Sequence, residues 1–243
     1  DALPDDADIL FCTPSHHCPT GSTMPLAARQ ALLAWAADCN ALIVEDDYEF
    51  EISHNRAPLP ALKSLDREGR VIHVGSFSKS LFPGLRLGFL VGPAPFIREA
   101  RALRATVLRH PPGLLQRAAA HFLSLGHYDA MLRRLTRSFS ERRAVMLEAV
   151  RAEGLTIAGA IDDGGSSLWM RTPAGLSADD LATALHDDNV LIEPGHPFFD
   201  LPEQGAGHYR IAYSSITADR IPEGIARIAA RQRRMQAQRL PGR

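Results

Sequence analysis

Lysine is almost missing from this chain of 243 residues: of 27 basic side chains only Lys63 and Lys79 are lysine, and the rest are arginine. Arginine stays protonated and cannot condense with a carbonyl, so any amine chemistry rests on those two residues. Cysteine is equally scarce. Cys12, Cys18 and Cys39 are odd in number and match no zinc or disulfide spacing, which excludes a stapled secreted scaffold and points to a reducing cytoplasm. The formal net charge is -1, so the chain as a whole has no electrostatic reason to bind nucleic acid. No apolar run approaches membrane-spanning length, and no signal peptide is visible. Gly-rich dinucleotide motifs and Walker-type loops are missing, which disfavours nicotinamide and nucleotide chemistry.

What is present suits one large domain, or one domain plus a smaller one, with a core that folds without staples. The chain opens without methionine on Asp1-Ala-Leu-Pro, just before a strand-like run, and is expected to start in mid-domain. Asp8–Cys12, Ala41–Val44 and Val71–Val74 read as buried strands, and Leu85–Val91 alternates like a fourth. A helix after Pro19-Thr-Gly21 is expected to be capped by Ser22 or Thr23 and to bury Met24, Ala28, Leu32 and Trp35. Residues 51–70 read as a surface loop with one helical turn. Helices are expected over 96–110, 114–125, 128–153, 177–187 and from about 219. Short strands are expected at Leu155–Ile157, Leu168–Met170, Val190–Ile192 and Tyr209–Tyr213. Strands joined by helices imply a largely parallel sheet, and ligands gather at the carboxyl ends of such strands.

The densest chemistry lies in Ser76-Phe-Ser-Lys79-Ser-Leu-Phe-Pro-Gly-Leu-Arg86. Two hydroxyls, Ser76 and Ser78, precede an amine, and the guanidinium of Arg86 follows. Hydroxyls and a planar cation suit a phosphate, while an amine suits a carbonyl; pyridoxal phosphate carries both groups. Upstream, Glu45-Asp46-Asp47 stands at a strand end, where alternation lets only one or two carboxylates face a site. A divalent-metal cluster and a solvated acidic strand end are the other readings of that trio. His16, His17, Cys12 and Cys18 fit no common zinc spacing, and no metal site is expected.

The Ser76–Arg86 segment resembles the cofactor-lysine segment of fold-type I pyridoxal-phosphate aminotransferases. With Thr13-Pro-Ser-His-His-Cys-Pro-Thr-Gly21 and Ile43-Val-Glu-Asp-Asp-Tyr-Glu-Phe50, the chain most resembles the aminotransferase-like domain of MocR-type regulators of the GntR superfamily. The resemblance is strongest from Thr13 to Pro93. It implies an α/β fold: the second half of a fold-type I large domain over residues 1–126, then a long linking helix and a small α+β domain over 127–243. It further implies a Schiff base at Lys79, Asp46 at the cofactor's ring nitrogen, and Tyr48, helped by His16, at its phenolic oxygen. Cys18 stands where ordinary aminotransferases place an asparagine. Ser76, Ser78 and Arg86 fall to the phosphate, and Arg210, in His208-Tyr-Arg-Ile-Ala-Tyr213, to the carboxylate of a bound amino acid. The implied function is the amino-acid- or amine-sensing part of a cytoplasmic, homodimeric transcription regulator, reaching DNA only through an upstream winged helix-turn-helix. A catalytic class I/II aminotransferase is the alternative, and a non-catalytic interaction module with a vestigial site is a third. The basic stretch 231–243 reads as a solvated helix end.

Overall fold

The computed structural model describes residues 3–4, 6–49, 51–54, 58–162 and 164–239. Asp1 at the chain start, Phe50 of the acidic motif and residues 240–243 of the basic end lie outside them. Two compact units emerge, one of residues 1–17 with 23–135 and one of residues 18–22 with 136–243.

The first unit is built on a four-stranded sheet ordered β1 (Ile9–Cys12), β2 (Leu42–Asp46), β3 (Val71–Ser76), β4 (Gly88–Val91). The first three strands are parallel, and β4 runs antiparallel to β3. Helix α1 (Leu26–Asp38) and the single turn α2 (Leu62–Leu65) cover it. The core joins Leu32, Ala36, Ala41, Ile43, Leu62 and Val71. Asn40 takes a left-handed φ of 55° and turns the chain from α1 into β2, a conformation asparagine tolerates better than most residues. Gly75 is needed for a different reason: a Cβ there would collide with the Phe89 ring. Helices α3 (Ala94–Val107) and α4 (Gly113–Ser124) follow.

Several elements depart from the sequence expectation. Pro25, not Ser22 or Thr23, is the N-cap of α1, and no side chain caps it. The buried face of α1 is Arg29, Leu32 and Ala36, while Ala28 is exposed. A 3-10 turn, Pro83–Leu85, replaces the start of the expected fourth strand, and β4 is exposed along its length instead of alternating.

Helix α5 (His127–Ala152) begins in the first unit and continues into the second. There β5 (Thr156–Ile157), β6 (Ser167–Arg171), β7 (Glu193–Pro194) and β8 (His208–Ala212) form an antiparallel sheet ordered β5-β6-β8-β7. The strand expected at Val190–Ile192 is irregular, and Leu191 is 82% exposed; pairing with β8 starts only at Glu193. Helix α6 (Ala178–His186) is capped by Ser177, whose hydroxyl accepts the amides of Asp179 and Asp180, as an N-cap serine should. Helix α7 (Ile221–Arg239) packs beside it with Ile221, Ile225 and Ile228 buried. No described helix is long and apolar enough to cross a membrane.

Candidate functional site

The carboxyl ends of β2 and β3 lie side by side, with Asp46 opposite Val74 in the parallel register. Side chains alternate along β2, so Asp46 and Tyr48 share one face, while Glu45 and Asp47 point to the other. Burial follows that division: Asp46 is exposed and Tyr48 half-buried, but Glu45 and Asp47 are buried. Burial raises the Asp46 carboxyl from its ordinary value, and the charge of His73 pulls it back.

Past β3, the amide of Phe77 still pairs with Leu87 at 3.0 Å, and the chain closes a turn in which Leu81 donates to Phe77 at 2.8 Å. That turn holds Lys79 over the Tyr48 ring, with Nζ 5.6 Å from the centroid and 3.9 Å from a Glu49 oxygen. Lys79 is half exposed, whereas the next residue, Ser80, is buried. Tyr128 of α5 donates to Glu51 Oε1 at 2.7 Å and accepts the Ser80 hydroxyl at 2.9 Å, so its phenol anchors the lysine turn from 48 residues away. Ser76 Oγ accepts the amide of Ser78 at 3.1 Å. Arg86, exposed, leaves the 3-10 turn at a left-handed φ of 48°.

Lys79, Tyr48, Asp46, Ser76 and Ser78 lie at or just past two adjoining strand ends. His16 belongs to the same unit, buried at φ 53°, with Nδ1 3.3 Å from the Thr23 hydroxyl. Arg210 lies in the other unit, on β8, where it faces Glu193 across the strand pair with Nε 2.5 Å from its carboxylate. An amine, a phenol, a carboxylate, two hydroxyls and a guanidinium are the donors and acceptors that pyridoxal phosphate requires, and the residues fit that group.

Beneath this face lies a layer the sequence did not reveal. Arg29 is fully buried. Its guanidinium donates to the carbonyls of Met24, Pro60 and Pro14 at 3.0 Å each and to Ser15 Oγ at 3.2 Å. Glu45 accepts the amides of Leu62 at 2.6 Å and Lys63 at 2.9 Å, and pairs with His73 Nδ1 at 3.0 Å. Burial pushes its carboxyl up, yet the bonds from His73, Lys63 and Leu62 bring it below the ordinary range. Burial drives the Cys12 thiol up to about 12. Glu45, Asp47 and His73 hold possible metal-ligating atoms within 4.8 Å of one another. Glu45 nevertheless already carries three hydrogen bonds, and Arg29 is drawn to both carboxylates. The result is a buried layer of charges and hydrogen bonds. No spacing rule exposes it, because its members come from three separate elements and a loop.

Asp47 supplies a prediction. Its side chain is buried, and neither oxygen meets a partner at full hydrogen-bond geometry. Burial first and the Glu45 charge second raise its carboxyl to about 6, against smaller opposing effects of the Ser15 hydroxyl, His73 and Arg29. A group whose folded value exceeds its unfolded value of 3.8 keeps its proton longer in the native state. Stability is then lost as pH rises from about 4 to 6 and stays low above. The shift corresponds to at most about 3 kcal/mol. Asp47→Asn is expected to be more stable than the parent at pH 8, with the difference shrinking toward pH 4, in urea unfolding followed across that range. A difference independent of pH would mean that Asp47 is not the titrating group.

Comparison with known proteins adds the following. The sequence profile of the family described as aminotransferase class I and II matches residues 2–228. The HTH-type transcriptional regulator TauR of Rhodobacter capsulatus is 58% identical over 227 residues, covering 93% of this chain and 47% of that protein. The probable rhizopine catabolism regulatory protein MocR of Rhizobium meliloti is 36% identical over 222 residues, 89% of this chain and 44% of that protein. Among solved structures, LysN, the α-aminoadipate aminotransferase of Thermus thermophilus, complexed with N-(5'-phosphopyridoxyl)-L-leucine, aligns with a TM-score of 0.88 at 32% identity. The alignment covers 95% of this chain and 60% of that one. The chain thus spans about half the length of the curated regulators it matches.

Proposed function

Because this chain belongs to the aminotransferase class I and II family, we propose that it is the pyridoxal-phosphate-binding, ligand-sensing part of a transcriptional regulator. The observation that carries the chemistry is the lysine amine held over Tyr48 at the paired ends of β2 and β3. The cofactor, when bound, supplies an electron sink for the bond changes of an amine attached to it. Lys79 would hold it covalently through Nζ. Asp46, on the open face of β2, would as a carboxylate keep the ring nitrogen protonated by charge attraction. The Tyr48 hydroxyl, aided by His16, would bind the phenolic oxygen. Ser76, Ser78 and Arg86 would take the phosphate, and Arg210 the carboxylate of an amino-acid ligand by its planar fork. A homodimer in the cytoplasm, contacting DNA through a separate helix-turn-helix, completes the reading.

The regulatory half rests on the 58% identity to TauR. A sensor needs a ligand that prefers one conformation, since a ligand shifts a population only by its differential affinity. The likeness to LysN favours a second reading, a working aminotransferase. Two measurements on the intact protein separate them. Effector-dependent binding to its own promoter, with no more than slow turnover of amino acid plus 2-oxo acid, is the expected result. Rapid multiple turnover without DNA binding would establish the aminotransferase instead.

A further inference from the structure

Tyr128 stands in the first turn of α5, yet its ring partner and its hydroxyl partner flank Lys79. The side chain is buried, and its phenol oxygen lies 2.7 Å from Glu51 Oε1 and 2.9 Å from Ser80 Oγ. A carboxylate can only accept, so the phenol proton goes to Glu51 and the Ser80 hydroxyl donates to the phenol. The edge of the ring meets Phe77 at 5.9 Å and 84°, an arrangement that aromatic pairs favour. Phe77 leans in turn on Phe89 of β4, with centroids 5.4 Å apart. Phe77 and Ser80 enclose Ser78 and Lys79, and the Leu81 amide closes the same turn onto the Phe77 carbonyl at 2.8 Å. Tyr128 thus grips the lysine turn at both ends, by its ring before Lys79 and by its hydroxyl after it. Glu51 lies just past Tyr48 in the chain, so the same phenol joins the lysine turn to the segment that carries the Tyr48 ring. Lys79 itself is half exposed and reaches that ring at 5.6 Å and a Glu49 oxygen at 3.9 Å. Contacts of that length do not fix a flexible four-carbon stem by themselves.

We propose that Tyr128 is a positioning residue for Lys79: by seating Phe77, Ser80 and Glu51 together, it holds the lysine turn in the shape that sets the amine over the Tyr48 ring. Ordering an exposed turn at a strand end is opposed by backbone entropy, and buried contacts at both of its ends offset that cost. Burial first and the Glu51 carboxylate second raise the phenol above its ordinary value, against a smaller pull from Ser80. The phenol therefore keeps its proton at neutral pH, and the bridge stays made. That the amine so held serves a cofactor rests on the function proposed above; the hold on the turn belongs to the protein alone.

The test labels the amines of the intact, unloaded protein by reductive methylation with 13C-formaldehyde and assigns the two lysine signals with Lys63→Arg. Methyl groups over a ring face are shifted upfield by its ring current, so the Lys79 signal reports its place over Tyr48, and Tyr48→Leu gives the unshifted reference. Lys63, paired with Asp66 at 2.8 Å, is the internal control. Tyr128→Phe keeps the ring against Phe77 and removes both hydroxyl contacts. In that variant the Lys79 signal is expected to move toward the unshifted reference while the Lys63 signal stays in place. Lower stability alone moves neither signal below the unfolding transition. A Lys79 signal unchanged in the folded variant overturns the proposal, as does a parent whose Lys79 signal already matches the reference. If Tyr128→Phe does not fold, Ser80→Ala decides by the same readout, since it cuts the link to the turn and leaves the phenol on Glu51. With pyridoxal phosphate added, the amine nitrogen joins the aldehyde carbon with loss of water, and borohydride supplies the hydride that makes the bond permanent. Trapping at Lys79 is expected to be roughly tenfold slower in Tyr128→Phe, the scale of one hydrogen bond. Failure of the parent to take the cofactor at all would remove the functional reading while leaving the unloaded signals to judge Tyr128.

Discussion

Borohydride reduction of the intact protein with pyridoxal phosphate is expected to leave one pyridoxyl group, on Lys79, and none on Lys63. The two lysines are the chain's entire supply of side-chain amines, and their surroundings differ. Lys63 Nζ is 2.8 Å from Asp66, whose carboxyl also accepts the amides of Val71 and Arg70. Burial pushes that carboxyl up, but the Lys63 and backbone hydrogen bonds hold it at about 2. Lys63 is thus committed to closing the turn before β3. Among the described residues Lys79 meets a distant carboxylate at 3.9 Å and the face of Tyr48, in a turn that Tyr128 and Ser80 hold shut beside it. A carbonyl must be able to reach the amine that condenses with it, and Lys79, half exposed at a strand end, is the lysine so placed. Lys79→Arg keeps the charge and loses the chemistry, so label incorporation should fall to background. Peptide mapping by mass spectrometry reads the result, and a pyridoxyl group on Lys63 would falsify the assignment.

Lys79 stood out because its segment is dense in chemistry: Ser76, Ser78 and Arg86 share it. Strand position marked the acidic end of β2, while the choice of Asp46 and Tyr48 there came from the resemblance. The largely parallel sheet was legible from the apolar runs that became β1, β2 and β3, whereas the fold-type I architecture came from the resemblance. Where the expectation failed, a long-range contact decided the matter. The α1 stripe was drawn through Ala28 because periodicity assigns an arginine to solvent, whereas Arg29 is the residue that faces the core. The cap of α1 was placed on hydroxyls that Pro25 displaces. Val190–Ile192 has the composition of a strand, but β8 has its pairing partners at Glu193 and Pro194. Glu45 looked like a rival of Asp46 for the site. Its carboxylate instead meets amides 17 and 18 residues downstream and a histidine 28 away, contacts that no local pattern encodes.

Arg29→Met is expected to cost about 3–5 kcal/mol in urea unfolding at pH 7, the range for removing one member of a buried ionic network. Methionine fills much of the same volume, so the loss is one of hydrogen bonding and charge rather than of packing. Four acceptors lose a donor together: the carbonyls of Met24 and Pro60, the hydroxyl of Ser15, and the carbonyl of Pro14, which keeps only the Met24 amide. Each buried acceptor left without a donor carries a penalty of about 1–3 kcal/mol. The charge loss compounds it, because Arg29 faces the carboxylates of Glu45 and Asp47, which favour its protonated form against the burial that opposes it. Without that cation Asp47 should hold its proton to still higher pH, so the variant's deficit should widen from pH 5 to pH 8. The consequence reaches the ligand face through the backbone. Pro14 and Ser15 directly precede His16, and the Pro14 carbonyl also accepts the Met24 amide at 2.8 Å, so releasing Arg29 loosens both ends of the loop beside the site. Cofactor affinity should fall together with stability, and adding pyridoxal phosphate should recover part of the lost unfolding free energy by mass action. A variant as stable as its parent at pH 8 would mean that water or a rearranged loop takes over all four acceptors, and that Arg29 is not the keystone of this layer.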